Sequence, residues 1–214
     1  MEIKEADVND IPEIVEVLKA SLGEEQLELS TKVWEYKHID NPFGSSVVLI
    51  AKENNKIIGV RAFMRWQWQY KDKKYKALRA VDTATHPNHQ GKGVFKKLTL
   101  KAVDFSKSIN DNFIFNTPNE QSRPGYLKMG WAQVGKIRVG IKPSLSFLKF
   151  KKNQKDYEIQ KSITNSQIKE LCIKWNKMLE EKQGLFTPKS PEMLKWRYED
   201  NPLQKYEVIT GQGF

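Results

Sequence analysis

The chain of 214 residues is 39% hydrophobic and 29% charged, which is ordinary for a globular protein that buries its own core. The single cysteine, Cys172, excludes an intramolecular disulfide and a cysteine-based zinc cluster, and its apolar neighbours predict a buried thiol. The formal net charge of +10 suits anionic partners, although residues 1–40 carry a net −7 from eleven acidic residues and four lysines.

The first forty residues predict a short strand and two helices. Residues 2–6 form the strand, and Pro12 opens a helix whose apolar residues recur every three or four positions from Ile11 to Leu22. Leu27–His38 predicts the second helix, which the turn residues Asn41–Gly44 end.

Strands dominate the next segment of the chain. Apolar runs and polar turns predict an antiparallel meander of three strands, Val47–Lys52, Ile57–Tyr70 and Tyr75–Thr85. A core-facing helix is predicted from about Val94 to Ile109, so the apolar strand Phe113–Asn116 beyond it should run parallel to the third strand of the meander. A short helix around Ser122–Met129 and a strand over Trp131–Ile141 complete this unit.

The last part of the chain resembles a restart of its beginning. Glu158 and Ile159 open a strand as Glu2 and Ile3 do, and Ile168–Leu179 predicts a helix with one apolar face. A Trp-x-Tyr and an Asp-Asn-Pro sequence from residues 34–42 recur in residues 196–202, before an apolar strand at Tyr206–Ile209. We interpret this pattern as a partial duplication, with domains of residues 1–150 and 151–214. A chance likeness of two capped helices is the alternative.

One glycine-rich segment stands between a strand and a helix and consists of Gln90, Gly91, Lys92, Gly93, Val94 and Phe95. Such glycines let the backbone turn sharply and aim amide N–H groups at an anion, to which the helix dipole adds. The segment is not a Walker loop, because no Gly-Lys-Ser/Thr follows. Nor is it a Rossmann fingerprint, because it follows a meander and lacks a third glycine. The predicted second domain contains no such loop.

The order of elements and two motifs together resemble the GNAT superfamily of N-acetyltransferases. Gln90 and Gly93 match its pyrophosphate motif, Gln/Arg-x-x-Gly-x-Gly/Ala, whereas Phe95 stands where that family has a small residue. Asn119 and the run Tyr126–Trp131 resemble its downstream Asn and Tyr-x-x-x-Gly-Phe pattern. The segments 81–87 and 41–44 are similar to those of a subfamily with a second, degenerate GNAT-like half.

The resemblance implies an α/β (α+β) fold, the GNAT acyl-CoA N-acyltransferase fold. Its sheet is mixed, mostly antiparallel and flanked by helices, and here a partial repeat of the N-terminal half would follow. The pantetheine arm of acetyl-CoA would lie along Thr83, Ala84 and Thr85, and one amide there would stabilise the thioester oxyanion. The pyrophosphate would bind the segment from Gln90 to Phe95, and Asn119 would contact the cofactor or its helix.

Two residues are candidates for proton transfer. The resemblance implies that Tyr126 reprotonates the departing CoA thiolate, with a packing tyrosine beside Trp131 as the alternative. An amine acceptor must lose a proton, and Asp82 is the carboxylate nearest this segment in sequence. We hypothesise that Asp82 accepts that proton directly or through water, although a structural hydrogen bond would equally explain an Asp on a strand.

We therefore expect an acetyl-CoA-dependent N-acetyltransferase that uses no metal and acts on a small-molecule primary amine. The acidic N-terminal residues predict that this amine is cationic. The alternatives are an inactive CoA-binding or interaction module and a basic nucleic-acid-binding protein. The apolar run Val47–Ala51 is too short for a membrane span, and residues 1–5 do not resemble a signal peptide. We accordingly expect a cytoplasmic protein without a membrane or nucleic-acid partner, and homodimerisation remains open.

Overall fold

Five strands of the chain form one sheet in sequence order. The computed structural model describes residues 1–23, 30–137, 140, 158–160 and 164–210. The strands are β1 (Glu2–Glu5), β2 (Val47–Glu53), β3 (Lys56–Tyr70), β4 (Lys73–Thr85) and β5 (Phe113–Phe115). Neighbouring strands are antiparallel except β4 and β5, which are parallel because the chain between them crosses over through a helix. The mixed, mostly antiparallel sheet predicted from the sequence is confirmed.

Helices flank the sheet on both faces. In the described part of residues 1–137 they are α1 (Ile11–Leu22), α2 (Thr31–His38), α3 (Val94–Ser108) and α4 (Arg123–Lys128). α2 begins at Thr31, where the Ser30 hydroxyl accepts the N–H of Val33 at 3.2 Å and caps the helix. Residues 27–29 of the predicted second helix lie outside the described residues. The other three helices fall within two residues of their predicted bounds.

Each face of the sheet buries an apolar core. On one face the residues of α1 and α2 pack against β3, with Ile14, Leu18, Trp34, Val60 and Ala62 at its centre. On the other face α3 packs against β2, β3 and β4, with Phe63, Leu78, Val94, Leu98 and Ala102 at its centre. The predicted core-facing side of α3 is therefore confirmed, since Phe105 also packs on this core, whereas Ile109 beyond the helix is exposed.

Among the described C-terminal residues, Glu180, Phe186 and Thr187 contact the C-terminal end of β3. The elements of this part are β6 (Glu158–Gln160), α5 (Asn165–Glu181), α6 (Pro191–Leu194), a π-helical turn (Lys195–Glu199) and β7 (Val208–Thr210). β6 and β7 pair with each other in an antiparallel ribbon. Phe186 pairs with Gln69 near the C-terminal end of β3 through two backbone hydrogen bonds of 2.7 and 3.0 Å. Cys172 of α5 is buried as predicted.

The strand predicted over Trp131–Ile141 is wrong for its described residues. Residues 131–137 have no strand structure, and residues 138, 139 and 141 lie outside the described part. Trp131 packs against Tyr126, but the side chains of Val134 and Ile137 are exposed. A segment with alternating apolar residues forms a strand only where a neighbouring strand accepts its backbone hydrogen bonds. Within the described residues the neighbouring strand, β5, is only three residues long. The predicted last strand, Tyr206–Ile209, begins two residues later, at Val208.

Candidate active site

A bulge in β4 shapes the centre of the site. Arg61 of β3 faces Thr83 and Ala62 faces Val81, so Asp82 is an extra residue between two regular pairs. Asp82 has φ 39°, a left-handed conformation that is uncommon for an L residue and fits such a bulge. Because of the bulge, even-numbered side chains of β4 face one core before Asp82 and the other core after it. Leu78 and Ala80 pack on the α3 face, whereas Ala84 packs on the α1 face.

β4 and β5 separate just before this bulge. Their pairing covers only Ala77–Arg79 on β4, so among the described residues the segment 80–85 has no strand partner on its β5 side. Its backbone N–H and C=O groups on this side have no strand partner in the described part of the chain and are available to an extended ligand that adds to a sheet edge, and we call this open edge the slot. The predicted pantetheine contacts Thr83, Ala84 and Thr85 lie along this slot.

The predicted phosphate turn lies at the end of β4 and leads into α3. Gly91 and Gly93 have φ of 73° and 74°, which glycine adopts without the strain that a side chain would bring. A Cβ at either glycine would have no atom within 4 Å, so the space in front of the turn is open. Gly93 caps α3, and the amides of Val94 and Phe95 are among the first N–H groups of the helix, which have no partner within it. The turn has the room and the donors that a pyrophosphate needs.

Side chains around the turn connect it to the slot. The Gln90 amide donates a hydrogen bond to the carbonyl of Thr85 at 3.3 Å and ties the turn to the end of β4. Lys92 is exposed and adds a positive charge to the mouth of the turn. Phe95 does not project over the turn. Its ring packs edge-on against Tyr126, with centroids 5.5 Å apart. The bulky residue that departs from the GNAT motif therefore packs towards α4.

Tyr126 is buried between α3, β3 and the loop after α4. Its ring contacts Phe95 and Trp131, and its hydroxyl accepts a 2.7 Å hydrogen bond from Nη1 of Arg61. Asn119 stabilises the approach to α4, because its side-chain oxygen accepts hydrogen bonds from the backbone N–H and the hydroxyl of Ser122. In the structure Asn119 thus stabilises the start of the helix that carries Tyr126, and its predicted contact with the cofactor or the cofactor's helix stays a prediction.

Asp82 faces α2 and lies in a network of charged and polar groups. Its carboxylate forms an ion pair with Lys37 and a 2.8 Å hydrogen bond with Nε2 of His38, whose Nδ1 is 2.8 Å from the Ser46 hydroxyl. Burial would raise the pKa of Asp82, but the hydrogen bond with His38 and the charge of Lys37 outweigh it and lower this pKa far below its ordinary range. Asp82 is therefore ionised at neutral pH and is a weak base.

His38 is neutral in this network. Burial lowers the pKa of His38 below its ordinary 6.5, although Asp82 opposes this shift. Since a carboxylate only accepts hydrogen bonds, the ring proton lies on Nε2 and Nδ1 accepts from Ser46. The network fixes the end of α2 to the bulge of β4.

A shallow recess of about 10 Å³, room for about one water molecule, opens on the α1–α2 side of Asp82. Apolar side chains and three polar ones line it: Val15, Leu18, Ser30, Val33, Trp34, Lys37 and Asp82. Two acidic residues near this recess, Asp10 and Glu13, stabilise the fold through their own contacts. Asp10 pairs with Lys4 and Lys52, and the Glu13 carboxylate accepts the backbone N–H of Ile57 at 2.8 Å.

Sequence reasoning missed three residues of the site: Lys37, His38 and Arg61. Arg61 had a visible signal, since it is the one charged residue in the otherwise apolar run 57–64. Lys37 and His38 had none, because they lie on a polar helix 44 to 45 positions before Asp82. The described residues contain no cluster of side chains able to bind a metal. Within the same residues no helix is long and apolar enough to cross a membrane.

A sequence profile described as "Acetyltransferase (GNAT) domain" matches residues 2–134, which contain the whole five-stranded sheet and the site. No curated protein matches the chain.

Solved structures with the same fold cover about two thirds of the chain. A putative acetyltransferase from Agrobacterium tumefaciens is 15% identical, with a TM-score of 0.53 over 67% of this chain and 100% of its own. A predicted acetyltransferase with acetyl-CoA from Clostridium acetobutylicum is 24% identical, with a TM-score of 0.52 over 65% of this chain and 95% of its own. AAC(6')-Iy in complex with a CoA bisubstrate analogue is 11% identical, with a TM-score of 0.54 over 67% of this chain and 98% of its own.

Proposed function

Because the chain belongs to the GNAT acetyltransferase family, we propose that it transfers the acetyl group of acetyl-CoA directly to a primary amine of a cationic acceptor. The observation that carries this proposal is the continuity of three features. The slot along residues 80–85 leads to the open glycine turn, and the buried Tyr126 contacts Phe95 in the first turn of the helix that follows the glycine turn. Together they match the phosphate, the pantetheine and the thioester of one extended ligand.

Acetyl-CoA would be bound chiefly by backbone groups. The amides that follow Gly91 and Gly93 would donate to the pyrophosphate, with Lys92 as a nearby cation. Residues 83–85 would pair with the pantetheine arm as an added strand. Each such contact is worth about 1.5–3 kcal/mol where the acceptor is charged, so a small displacement of the turn should weaken binding measurably.

Tyr126 would act as the acid for the departing thiolate. It comes from α4, on the β5 side of the sheet, and its hydroxyl already accepts one hydrogen bond from a cation. We expect Tyr126→Phe to lower kcat by about a hundredfold and to leave acetyl-CoA binding unchanged, because only the hydroxyl is lost. Unchanged turnover would remove Tyr126 from the mechanism.

Asp82 would bind the ammonium group of the acceptor. Its carboxylate already pairs with the ammonium of Lys37 at the recess on the α1–α2 side, so the acceptor would replace one cation with another. The lowered pKa of Asp82 supports transfer of the amine proton to water rather than to the carboxylate itself. The acidic excess of residues 1–40 would draw a cationic acceptor towards this side.

Residues 164–210 support the interpretation as a partial second copy. Asn41 donates to Lys37 O at 3.4 Å and accepts from Phe43 N at 2.9 Å, and Asn201 makes the same two contacts, at the same lengths, with Arg197 and Leu203. The helix caps repeat too, since Ser30 and Ser190 accept from the N–H three residues on at 3.2 Å. All these pairs are 160 residues apart. At that spacing Trp196 corresponds to Tyr36 rather than to Trp34.

The two corresponding positions meet in the structure. The rings of Tyr36 and Trp196 stack with centroids 5.0 Å apart, and the indole N–H donates to the Tyr36 carbonyl at 2.8 Å. Contact between equivalent residues is what a two-fold relation between two copies produces. We therefore infer that the second copy supports α2, and through it the acceptor side, and that it adds no second cofactor site.

Release of CoA from acetyl-CoA, followed with a thiol reagent, tests the proposal over a panel of spermidine, glucosamine, kanamycin, a lysine peptide and glutamate. We expect a cationic amine to be the fastest acceptor. Preference for glutamate would contradict the cationic acceptor. Acetyl-CoA binding without turnover on any amine would favour the inactive CoA-binding module.

Gly93→Val provides the control for the cofactor site. Valine is strained at φ 74°, so the variant should bind acetyl-CoA at least about tenfold more weakly by calorimetry. Equal binding would show that the turn is not the pyrophosphate site.

A further inference from the structure

Arg61 is a fully buried arginine that has no acidic partner among the described residues. Its side chain is 0% exposed, and among the described residues its Nε and Nη2 atoms have no hydrogen-bond partner. Three aromatic rings surround the guanidinium, at 4.7 Å (Phe63), 5.3 Å (Tyr126) and 5.7 Å (Phe95) from its central carbon. The Tyr126 hydroxyl is its one polar contact in this part of the chain.

An unpaired buried cation is costly to a fold, because neither water nor a carboxylate compensates the lost hydration. Arg65, four positions along the same strand, shows the ordinary arrangement. It forms an ion pair with Asp111 and donates to the Ser45 carbonyl at 3.2 Å. Burial also lowers the pKa of Arg61. A buried guanidinium without a carboxylate has a function if a negative charge forms beside it during the reaction.

We propose that Arg61 is a positioning residue that orients the Tyr126 hydroxyl as a proton donor and stabilises the phenolate that remains after the proton has left. The inference rests on the role proposed above for Tyr126.

The hydrogen bond fixes the direction of the tyrosine proton. A guanidinium has only donors, so the Tyr126 oxygen must accept from Arg61 and its own proton must point away from Arg61. The contacts of Tyr126 with Phe95 and Trp131 keep the ring from turning. Tyr126 is therefore prepared to donate, at no cost of reorganisation when the reaction begins.

The charges balance in the proposed step. The amine nitrogen forms a bond to the acetyl carbon, the carbon–sulfur bond breaks, and its electron pair stays on sulfur. Tyr126 gives its proton to that sulfur and becomes a phenolate 2.7 Å from Nη1 of Arg61. The proton lost by the amine nitrogen enters solvent, and a proton from solvent restores Tyr126. Because the site is buried, the attraction between phenolate and guanidinium is little screened.

A double-mutant cycle with Tyr126→Phe tests the inference, using CoA release with the fastest amine of the panel and acetyl-CoA binding by calorimetry. We expect Arg61→Met to lower kcat by about 10- to 100-fold, no more than the loss of the Tyr126 hydroxyl itself, and to change acetyl-CoA affinity by less than about threefold. In the Tyr126→Phe background the same substitution should lower kcat by less than about twofold, because its effect passes through the hydroxyl. Arg65→Met is the matched control and should keep its kcat.

Each failure has its own meaning. An unchanged kcat in Tyr126→Phe would overturn the role of Tyr126 and this inference with it. A lowered kcat in Tyr126→Phe with an unchanged kcat in Arg61→Met would overturn this inference alone. Equal losses from Arg61→Met in both backgrounds, or a comparable loss in Arg65→Met, would show that Arg61 acts only through the fold. If Arg61→Met does not fold, Arg61→Lys should exceed Arg61→Gln in kcat, since lysine keeps the charge, and the reverse order would refute the proposal.

Discussion

Gly59 is where the sheet comes closest to α3, and Gly59→Ala should disturb both stability and the cofactor turn. A Cβ at this position would lie 2.7 Å from Cγ1 of Val94 and 3.1 Å from Cδ1 of Leu98. Carbon atoms in contact are normally about 3.5–4.0 Å apart, so the Val94 side chain must move by about 1 Å, and we expect the start of α3 to move with it because a β-branched side chain has little rotamer freedom in a helix. Overpacking of this kind costs about 1–3 kcal/mol, or about 2–4 °C in Tm for each kcal/mol in a chain of this length.

The same movement should weaken acetyl-CoA binding, because Val94 follows the glycine turn directly. A displacement of about 1 Å takes amide donors out of the usual 2.7–3.2 Å range, and we expect a rise in Kd of about tenfold or more. Urea unfolding and calorimetry measure the two effects. In Gly59→Ala combined with Val94→Ala, the added methyl occupies space that valine vacates, so the double variant should regain part of both losses. If Gly59→Ala is as stable as the wild type and binds acetyl-CoA normally, the close packing of Gly59 against α3 is refuted. If it loses stability but binds acetyl-CoA normally, the glycine turn is not the cofactor site.

Three further predictions concern α2 and its neighbours. Lys37→Met should lower KM for the amine by up to about fivefold, because a partly exposed ion pair worth up to about 1 kcal/mol no longer competes for Asp82; a raised KM would show that Lys37 itself helps to bind the acceptor. His38 has a pKa lowered by burial, so above about pH 6.5 it is neutral in both the folded and unfolded states. As the pH falls, the unfolded chain takes up the proton first, and the unfolding free energy should drop by at most about 1.4 kcal/mol per pH unit. His38→Gln should flatten this dependence in urea titrations at pH 5–7, and an equal slope would contradict the assignment. Trp196→Ala should lower the unfolding free energy by about 3–5 kcal/mol in a single transition, whereas a separate early transition would show that the C-terminal elements unfold on their own.

The elements of the first unit were predictable because their patterns are local. β3 repeats an apolar residue at every second position from Val60 to Tyr70, and α3 repeats its apolar positions every three or four residues, so each period identifies its element without knowledge of its neighbours. The glycine turn was also predictable, since only glycine adopts the φ of Gly91 and Gly93 without strain. The strand predicted after α4 failed because a strand depends on a partner edge, which no local pattern reveals.

The tertiary structure alone decided how the site is charged. Whether Asp82 faces α2 or α3 depends on a bulge of one residue, and a shift by one position moves every later side chain of a strand to the opposite face. The bulge brings Asp82 to Lys37 and His38, more than forty residues earlier in the chain. In the same way Arg61 meets Tyr126 across 65 positions because β3 passes beneath α3 and α4. The sequence by itself determined which groups can bind a phosphate or give a proton, since that is a property of residue type and local backbone. Their partners, and hence their charge and basicity, were decided by strand register and by burial in a common core.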